Sequence, residues 1–283
     1  MKYLAHANAR IDRTIAAKRR LIALLEEHRG VTVAALVAAA GGERLRLKNI
    51  ASIQMGLTLG KDYHGQELIE RPYLRVANVQ MGHVDTADVA TILVPPAEAS
   101  RCTLRVGDVL MTEGGDIDKL GRGTVWDARI DPCLHQNHIF AVRCRDSLVP
   151  EYLALWLQSP AVRDYFYLTA KKTTNLASTN STTLGELPVA LPPLGVQRSL
   201  VRQVGDACYP ISDAIYKATR EIALLQEFRT RLIADVVTGQ VDVRGVAASL
   251  PDIDVTTAWG ASDDLESDPG SDDLDDSPDA PDE

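Results

Sequence analysis

Residues 133–138 read Cys-Leu-His-Gln-Asn-His, and Cys144 follows a strand's length later. Thiols and imidazoles are the ligands zinc prefers, so chemistry is sought here first. The spacing matches no common zinc pattern, and the segment runs into HIFAVRC, which reads as a strand. On a strand, residues 135 and 138 project to opposite faces, which works against a shared ion. Other catalytic signatures are missing: there is no Walker loop, no glycine-rich dinucleotide fingerprint, no GxSxG and no HExxH. LPPL (191–194) lacks the polar residue that opens the Asp/Asn-Pro-Pro-aromatic motif of amino-methyltransferases. The sequence predicts a chain that is not itself an enzyme, with no catalytic residue, no metal and no cofactor of its own.

Two polar loops carry binding chemistry instead. TEGGDIDKLGRG (112–123) combines glycines with Lys119 and Arg122. Glycine allows positive φ and close backbone approach to a ligand. Lysine and arginine reach phosphates or guanine edges, and aspartate can accept from the cytosine amino group. KKTTNLASTNSTTL (171–184) sets the pair Lys171–Lys172 among short hydroxyl and amide side chains. Such groups suit phosphate and base-edge contacts. Each loop also has a plain structural reading. The first can be a solvated hairpin, and in the second Ser181 can cap a helix beginning at TTLGEL.

These loops need a scaffold, and the sequence supplies it on both sides. IALLEEHR (22–29) returns as IALLQEFR (222–229), and nine of nineteen positions agree between 11–29 and 211–229. The first copy predicts a helix over about 4–29, ended by Gly30. Its apolar positions follow the alternating four–three spacing of a coiled-coil seam. The second predicts a helix over about 196–238, kinked or broken near Tyr209 by Pro210 and stopped at Gly239. The pairing positions are Ile11, Ile15, Ile22 and Leu25 on the first helix, and Ile211, Ile215, Ile222 and Leu225 on the second. Both stripes could also be ordinary core faces. Between the helices, LRLKNIASI, YLRVANV, DVLMTE, TVWDARI and HIFAVRC read as strands. EYLALWLQSPAVRDYFYLTA reads as helical, with Pro160 opening its second half. LPVALPPL reads as a closing strand. The fold class is α+β: one mostly-β domain flanked by two long coiled-coil-type helices. The expected division is 1–30 helix, 31–194 domain, 195–244 helix and 245–283 acidic tail.

Charge follows the same division. The net charge is −9, yet residues from Pro251 onward hold thirteen acidic and no basic side chains, leaving +4 on residues 1–250. A uniformly acidic, apolar-poor segment cannot offset its ordering entropy, so disorder is expected there. No apolar run is long enough to span a bilayer and MKYLAHANARIDR lacks a signal-peptide core, so a cytoplasmic protein without membrane contact is expected. In that compartment the four cysteines are expected as free thiols.

Taken together, YLRVANVQ (73–80), VGDVLMTEGGDIDKLGRGTVW (106–126), HQNHIF (135–140), TTNLAS (173–178), LPVALPPLGVQ (187–197) and RLIADVVTGQVDVR (231–244) resemble the specificity subunit of type I restriction-modification systems, HsdS. ARIDRTIAAKRRLIALLEEHR (9–29) resembles that family's central helix. Full subunits carry two target recognition domains between paired helices, and this chain is similar to the C-terminal half. One departure is Gly195-Val196-Gln197, where many relatives place an acidic residue before the glutamine.

The resemblance implies a DNA-recognition subunit that reads half of a bipartite site in double-stranded DNA. It implies docking to a methyltransferase subunit that carries S-adenosylmethionine, restriction-subunit association, and homodimerisation through the helices. The DNA-contact candidates are Lys119, Arg122, Gln136, Asn137, Lys171, Lys172, Thr173, Thr174, Asn175 and Asn180. The alternative reading is a truncated remnant or regulator that binds methyltransferase subunits without recognising DNA. A third is a zinc enzyme around Cys133, His135 and His138.

Overall fold

The computed structural model describes residues 2–115, 120–121, 123–173 and 176–251. In chain order these form α1 (Lys2–Ala39), β1 (Glu43–Arg46), α2 (Leu47–Ile50), β2 (Ala51–Met55), β3 (Ile69–Leu74), β4 (Val79–Gln80), β5 (His83–Val84), β6 (Ala90–Val94), α3 (Pro96–Cys102), β7 (Val109–Thr112) and β8 (Gly114–Gly115). They continue with β9 (Gly123–Val125), β10 (Leu134–His135), β11 (Ile139–Cys144), α4 (Pro150–Trp156), α5 (Pro160–Thr169), β12 (Lys171–Lys172), β13 (Ala177–Ser178), α6 (Ser181–Gly185), β14 (Pro188–Leu191), α7 (Leu194–Val237) and α8 (Arg244–Ser249). This is the α+β arrangement expected, a sheet-rich domain between two long helices. Two compact units result among the described residues, one within 26–213 and one from 2–25 together with 214–251.

In the first unit an antiparallel sheet runs in the order β2-β11-β7-β9. Both of its faces are covered, and the two-residue period of a strand sorts its side chains between two cores. Val109, Met111, Phe140 and Val142 face one core with Tyr152, Phe166 and Leu200. Leu110, Ile139 and Ala141 face the other with Leu74 and Trp126. A second sheet, β10-β3-β6, pairs β10 parallel to β3. The short β12-β13-β8 sheet links segments that are far apart in sequence.

Local readings are corrected at four places. Gly30 does not end the first helix, which runs on to Ala39. Glycine inside a helix costs about 1 kcal/mol relative to alanine, and here burial of Val33 and Val37 in the core outweighs it. The helix stops instead at Gly41 and Gly42, both at positive φ. A side chain at Gly42 would meet the backbone of Leu191 and Pro192 at under 3 Å.

Pro210 does not break α7. It lies on the exposed face together with Asp206, whose carbonyl loses its amide partner there. Val204, Cys208 and Ile211 are buried on the opposite face and hold the helix through it.

LRLKNIASI is two strands joined by the helical turn α2, because Leu47 and Ile50, three residues apart, are both buried. The cap of α6 is Asn180 rather than Ser181: its Oδ1 accepts from the Thr183 amide at 2.8 Å. Pro160 does open α5, at its first turn.

The other unit is a helix pair. Lys18 pairs with Glu221, and Asp12 with Arg229 at 3.0 Å, so the chain directions are opposed. Ile11, Ile15, Ala218 and Leu232 are buried, while Ile22, Leu25, Ile215, Ile222 and Leu225 are half-buried. The sequence repeat is also a repeat of burial. Positions 21–30 and 221–230 alternate between exposed and half-buried in the same order, residue for residue. His6 Nε2 lies 2.7 Å from the Pro251 carbonyl, so the far ends of the pair meet. Helix α8 occupies the start of the stretch assigned to the tail, and residues 252–283 lie outside the described residues.

Candidate nucleic-acid interface

The three polar segments converge on Glu113. Its amide donates to the His138 carbonyl at 2.9 Å, and its own carbonyl accepts from the Thr179 amide at 2.9 Å. Its carboxylate lies 2.8 Å from His138 Nδ1. Directly after it, β8 pairs antiparallel with β13, and β13 with β12. One residue thus ties the start of the glycine loop to the Gln136–Asn137 turn and to the Lys171–Asn180 hairpin. Glu113 is not among the site residues expected from the sequence. The visible signal was an acidic residue directly before the Gly-Gly pair.

The Gln136–Asn137 turn is held by backbone on every side. The Gln136 amide donates to the Leu74 carbonyl at 2.9 Å and the Asn137 amide to the Leu57 carbonyl at 2.7 Å. Leu57 in turn donates to the His135 carbonyl at 2.7 Å. This packing requires Gly56, since a Cβ there would sit 2.2 Å from the His135 carbonyl oxygen and 2.3 Å from that of Gln136. Gln136 and Asn137 are half-buried, at the bridge and turn between β10 and β11.

In the hairpin, Lys171 and Lys172 are exposed on β12. Lys172 Nζ stands 3.5 Å from the centroid of the exposed Tyr167 ring, a cation–π contact that fixes the ammonium at the end of α5. Thr173 closes the turn: its amide donates to the Leu176 carbonyl at 2.8 Å, and its Oγ1 accepts from the Leu176 amide at 3.3 Å. Asn180 has its Oδ1 engaged in the α6 cap. Lys119, Arg122, Thr174 and Asn175 lie outside the described residues.

The candidate zinc cluster does not converge. His135 is fully buried, its Nδ1 lies 2.9 Å from the Ile139 carbonyl, and burial pushes its imidazole down to about 4. His138 turns to Glu113, and Cys133 Sγ donates to the Leu134 carbonyl. Burial drives the Cys133 and Cys144 thiols up to about 12, so both resist becoming thiolate ligands. All four cysteines are free. Among the described residues no helix is long and apolar enough to cross a membrane.

No family model matches the chain. It is 24% identical over 188 residues to the type I restriction enzyme EcoKI specificity subunit of Escherichia coli K12, a match covering 65% of this chain and 40% of that protein. The chain is thus similar to type I restriction-enzyme specificity subunits (HsdS). A second relative, the MjaX specificity subunit of Methanocaldococcus jannaschii, described as putative, is 23% identical over 163 residues, covering 56% of this chain and 38% of the other. The chain is also similar in fold, at a TM-score of 0.50 and 19% identity, to a structure described as the basis of complex assembly and conformational transition of the type I restriction-modification system. That similarity covers 80% of this chain and 57% of the other. The matched regions span well under half the length of the curated relatives.

Proposed function

We propose that this chain is a sequence-recognition subunit of a type I restriction-modification complex, reading one half of a bipartite site in double-stranded DNA. The observation that carries the reading is the gathering of three polar segments at Glu113, in a domain flanked in sequence by two helices that repeat one another. Gln136 and Asn137 would read adenine edges, and Lys171 and Lys172 would hold phosphates. Arg122 and Lys119, on the glycine loop, would add guanine or phosphate contacts. The chain itself is non-catalytic. Its helices dock the methyltransferase subunit, which brings S-adenosylmethionine, and the restriction subunit joins that assembly.

The repeated seam gives this chain a route to pairing with a second copy, which would bring two recognition domains into one assembly. Two-fold symmetry then makes the target a palindrome with a central spacer. Helix length sets that spacer, so removing one heptad from α7 should change it. An unchanged spacer would refute this ruler.

The deciding experiment co-expresses the chain with a methyltransferase subunit in a methylation-free host and maps adenine methylation across the genome. A palindromic bipartite motif supports the reading. Soluble, co-purifying protein with no new methylation supports the remnant or regulator instead.

A further inference from the structure

Outside the platform at Glu113, a cleft of about 470 Å³ opens between α2, β2, the end of β11 and α6. Its polar lining comprises Lys48, Arg145, Ser52, Ser181, Thr182 and Glu186. We propose that this cleft binds a phosphate group, and that its occupant is a backbone phosphate of the DNA. The second half of this statement rests on the recognition reading above.

Three observations carry it. First, the lining combines an ammonium, a guanidinium and three hydroxyls with a single carboxylate. That is the donor set that meets phosphate oxygens. Second, the cations are held in place before any ligand arrives. Arg145 Nη1 donates to the Asn49 carbonyl at 3.0 Å, and Lys48 is held on one oxygen of Glu186. Arg46 stands 3.0 Å from the other oxygen, adding a third cation at the rim. Third, the cleft continues the platform. Ser181 and Thr182 directly follow Asn180, and the Thr179 amide is bonded to Glu113. Three residues of chain reach at most about 10 Å, whereas duplex DNA carries a phosphate every ~3.4 Å of axis on each strand. A strand lying on the platform therefore has phosphates within reach of the cleft.

Glu186 gives the proposal a sign. Its carboxylate competes with the phosphate for Lys48, and the Lys48 ammonium, followed by burial-opposed help from Arg46, holds it below the usual carboxylate range. Removing Glu186 should free Lys48 for DNA, and removing Lys48 should lose the phosphate. A pair with a merely structural role would respond in the same direction to loss of either partner.

The test measures duplex binding by the full-length chain across a salt series, for wild type, Lys48→Gln, Arg145→Gln and Glu186→Gln. Losing one phosphate contact should lower the salt slope by about 1. We expect Lys48→Gln and Arg145→Gln to weaken binding about three- to tenfold with that lower slope, and Glu186→Gln to tighten it about threefold. Equal weakening by Lys48→Gln and Glu186→Gln, or no change in either, overturns the proposal. A wild type that binds no duplex at any salt refutes the recognition reading instead. Titration with inorganic phosphate then decides the cleft. Shifts of the Ser181 and Thr182 amide resonances that vanish in Lys48→Gln keep it as a phosphate site, and their absence in wild type removes it.

Discussion

Gln197→Leu tests how the domain is fastened to the helix that leaves it. Gln197 is fully buried in the first turn of α7. Its Oε1 accepts from the Val149 amide at 2.8 Å, and its Nε2 donates to the carbonyls of Pro192 at 2.8 Å and Ser147 at 2.9 Å. One side chain thus joins the end of the LPPL turn, the loop before α4 and the start of α7. Leucine keeps a similar volume and removes all three bonds. Ser147 is exposed, so its carbonyl can turn to water. The Val149 amide and the Pro192 carbonyl cannot do so freely, and each orphaned buried group costs about 1–3 kcal/mol. Burying leucine recovers roughly 1 kcal/mol. The net destabilisation should be about 2–4 kcal/mol, a large part of the 5–15 kcal/mol typical of a native domain. Urea unfolding, with a slope of about 2 kcal/mol per molar, should show the midpoint falling by about 1–2 M. Gln197→Glu, which keeps the acceptor and loses both donors, should be at least as damaging. A midpoint within about 0.5 M of wild type for either variant, at unchanged slope, would refute the fastening role.

Three further outcomes follow from the same geometry. Gly56→Ala should displace the Gln136–Asn137 turn and destabilise the domain by about 1–3 kcal/mol, because its Cβ meets two backbone carbonyls; a variant as stable as wild type by thermal melting would show that the turn can yield. The His135 imidazole is held down to about 4, below an unfolded value near 6.5, so the unfolded chain binds more protons between these limits. Its contribution is full above about pH 6.5 and is lost as pH falls toward 4, by roughly 3 kcal/mol; unfolding midpoints measured from pH 7 to 4.5 should fall less in His135→Gln than in wild type, and equal falls would count against it. Glu113→Ala should leave stability within about 1 kcal/mol, since the lost pair is half-exposed and the backbone bonds remain, yet it should change the methylated motif in the genome-wide assay; an unaltered motif would separate Glu113 from recognition.

The long helices were legible because a seam writes its spacing directly into the sequence: Ile11, Ile15, Ile22 and Leu25 announce one face without help from the rest of the chain. Gly30 and Pro210 misled for the opposite reason. Both are local breakers, and what overrides them is burial of Val33, Val37, Val204 and Ile211 against residues distant in sequence. The turn at Leu47–Ile50 was hidden because a short apolar run fits strand and helix equally well. The polar loops were visible by composition, but their convergence was not. It depends on the two-residue pairing of β8 with β13, which joins Gly114 to Ser178, and no local pattern encodes a contact of that span.

The burial repeat between positions 21–30 and 221–230 has a consequence for which helix sits beside which. A seam of common spacing specifies alignment but not identity, so a mate from another molecule fits nearly as well as the one in the same chain. The choice is then made by concentration. A tethered helix experiences its own mate at an effective concentration on the order of millimolar, and exchange between molecules waits until free chains compete with that figure or until an assembly holds two of them together. The charges of Asp12–Arg229 and Lys18–Glu221, which have no counterparts at the repeat-related positions Ser212 and Ala218, supply the small bias that tells a mate from a stranger.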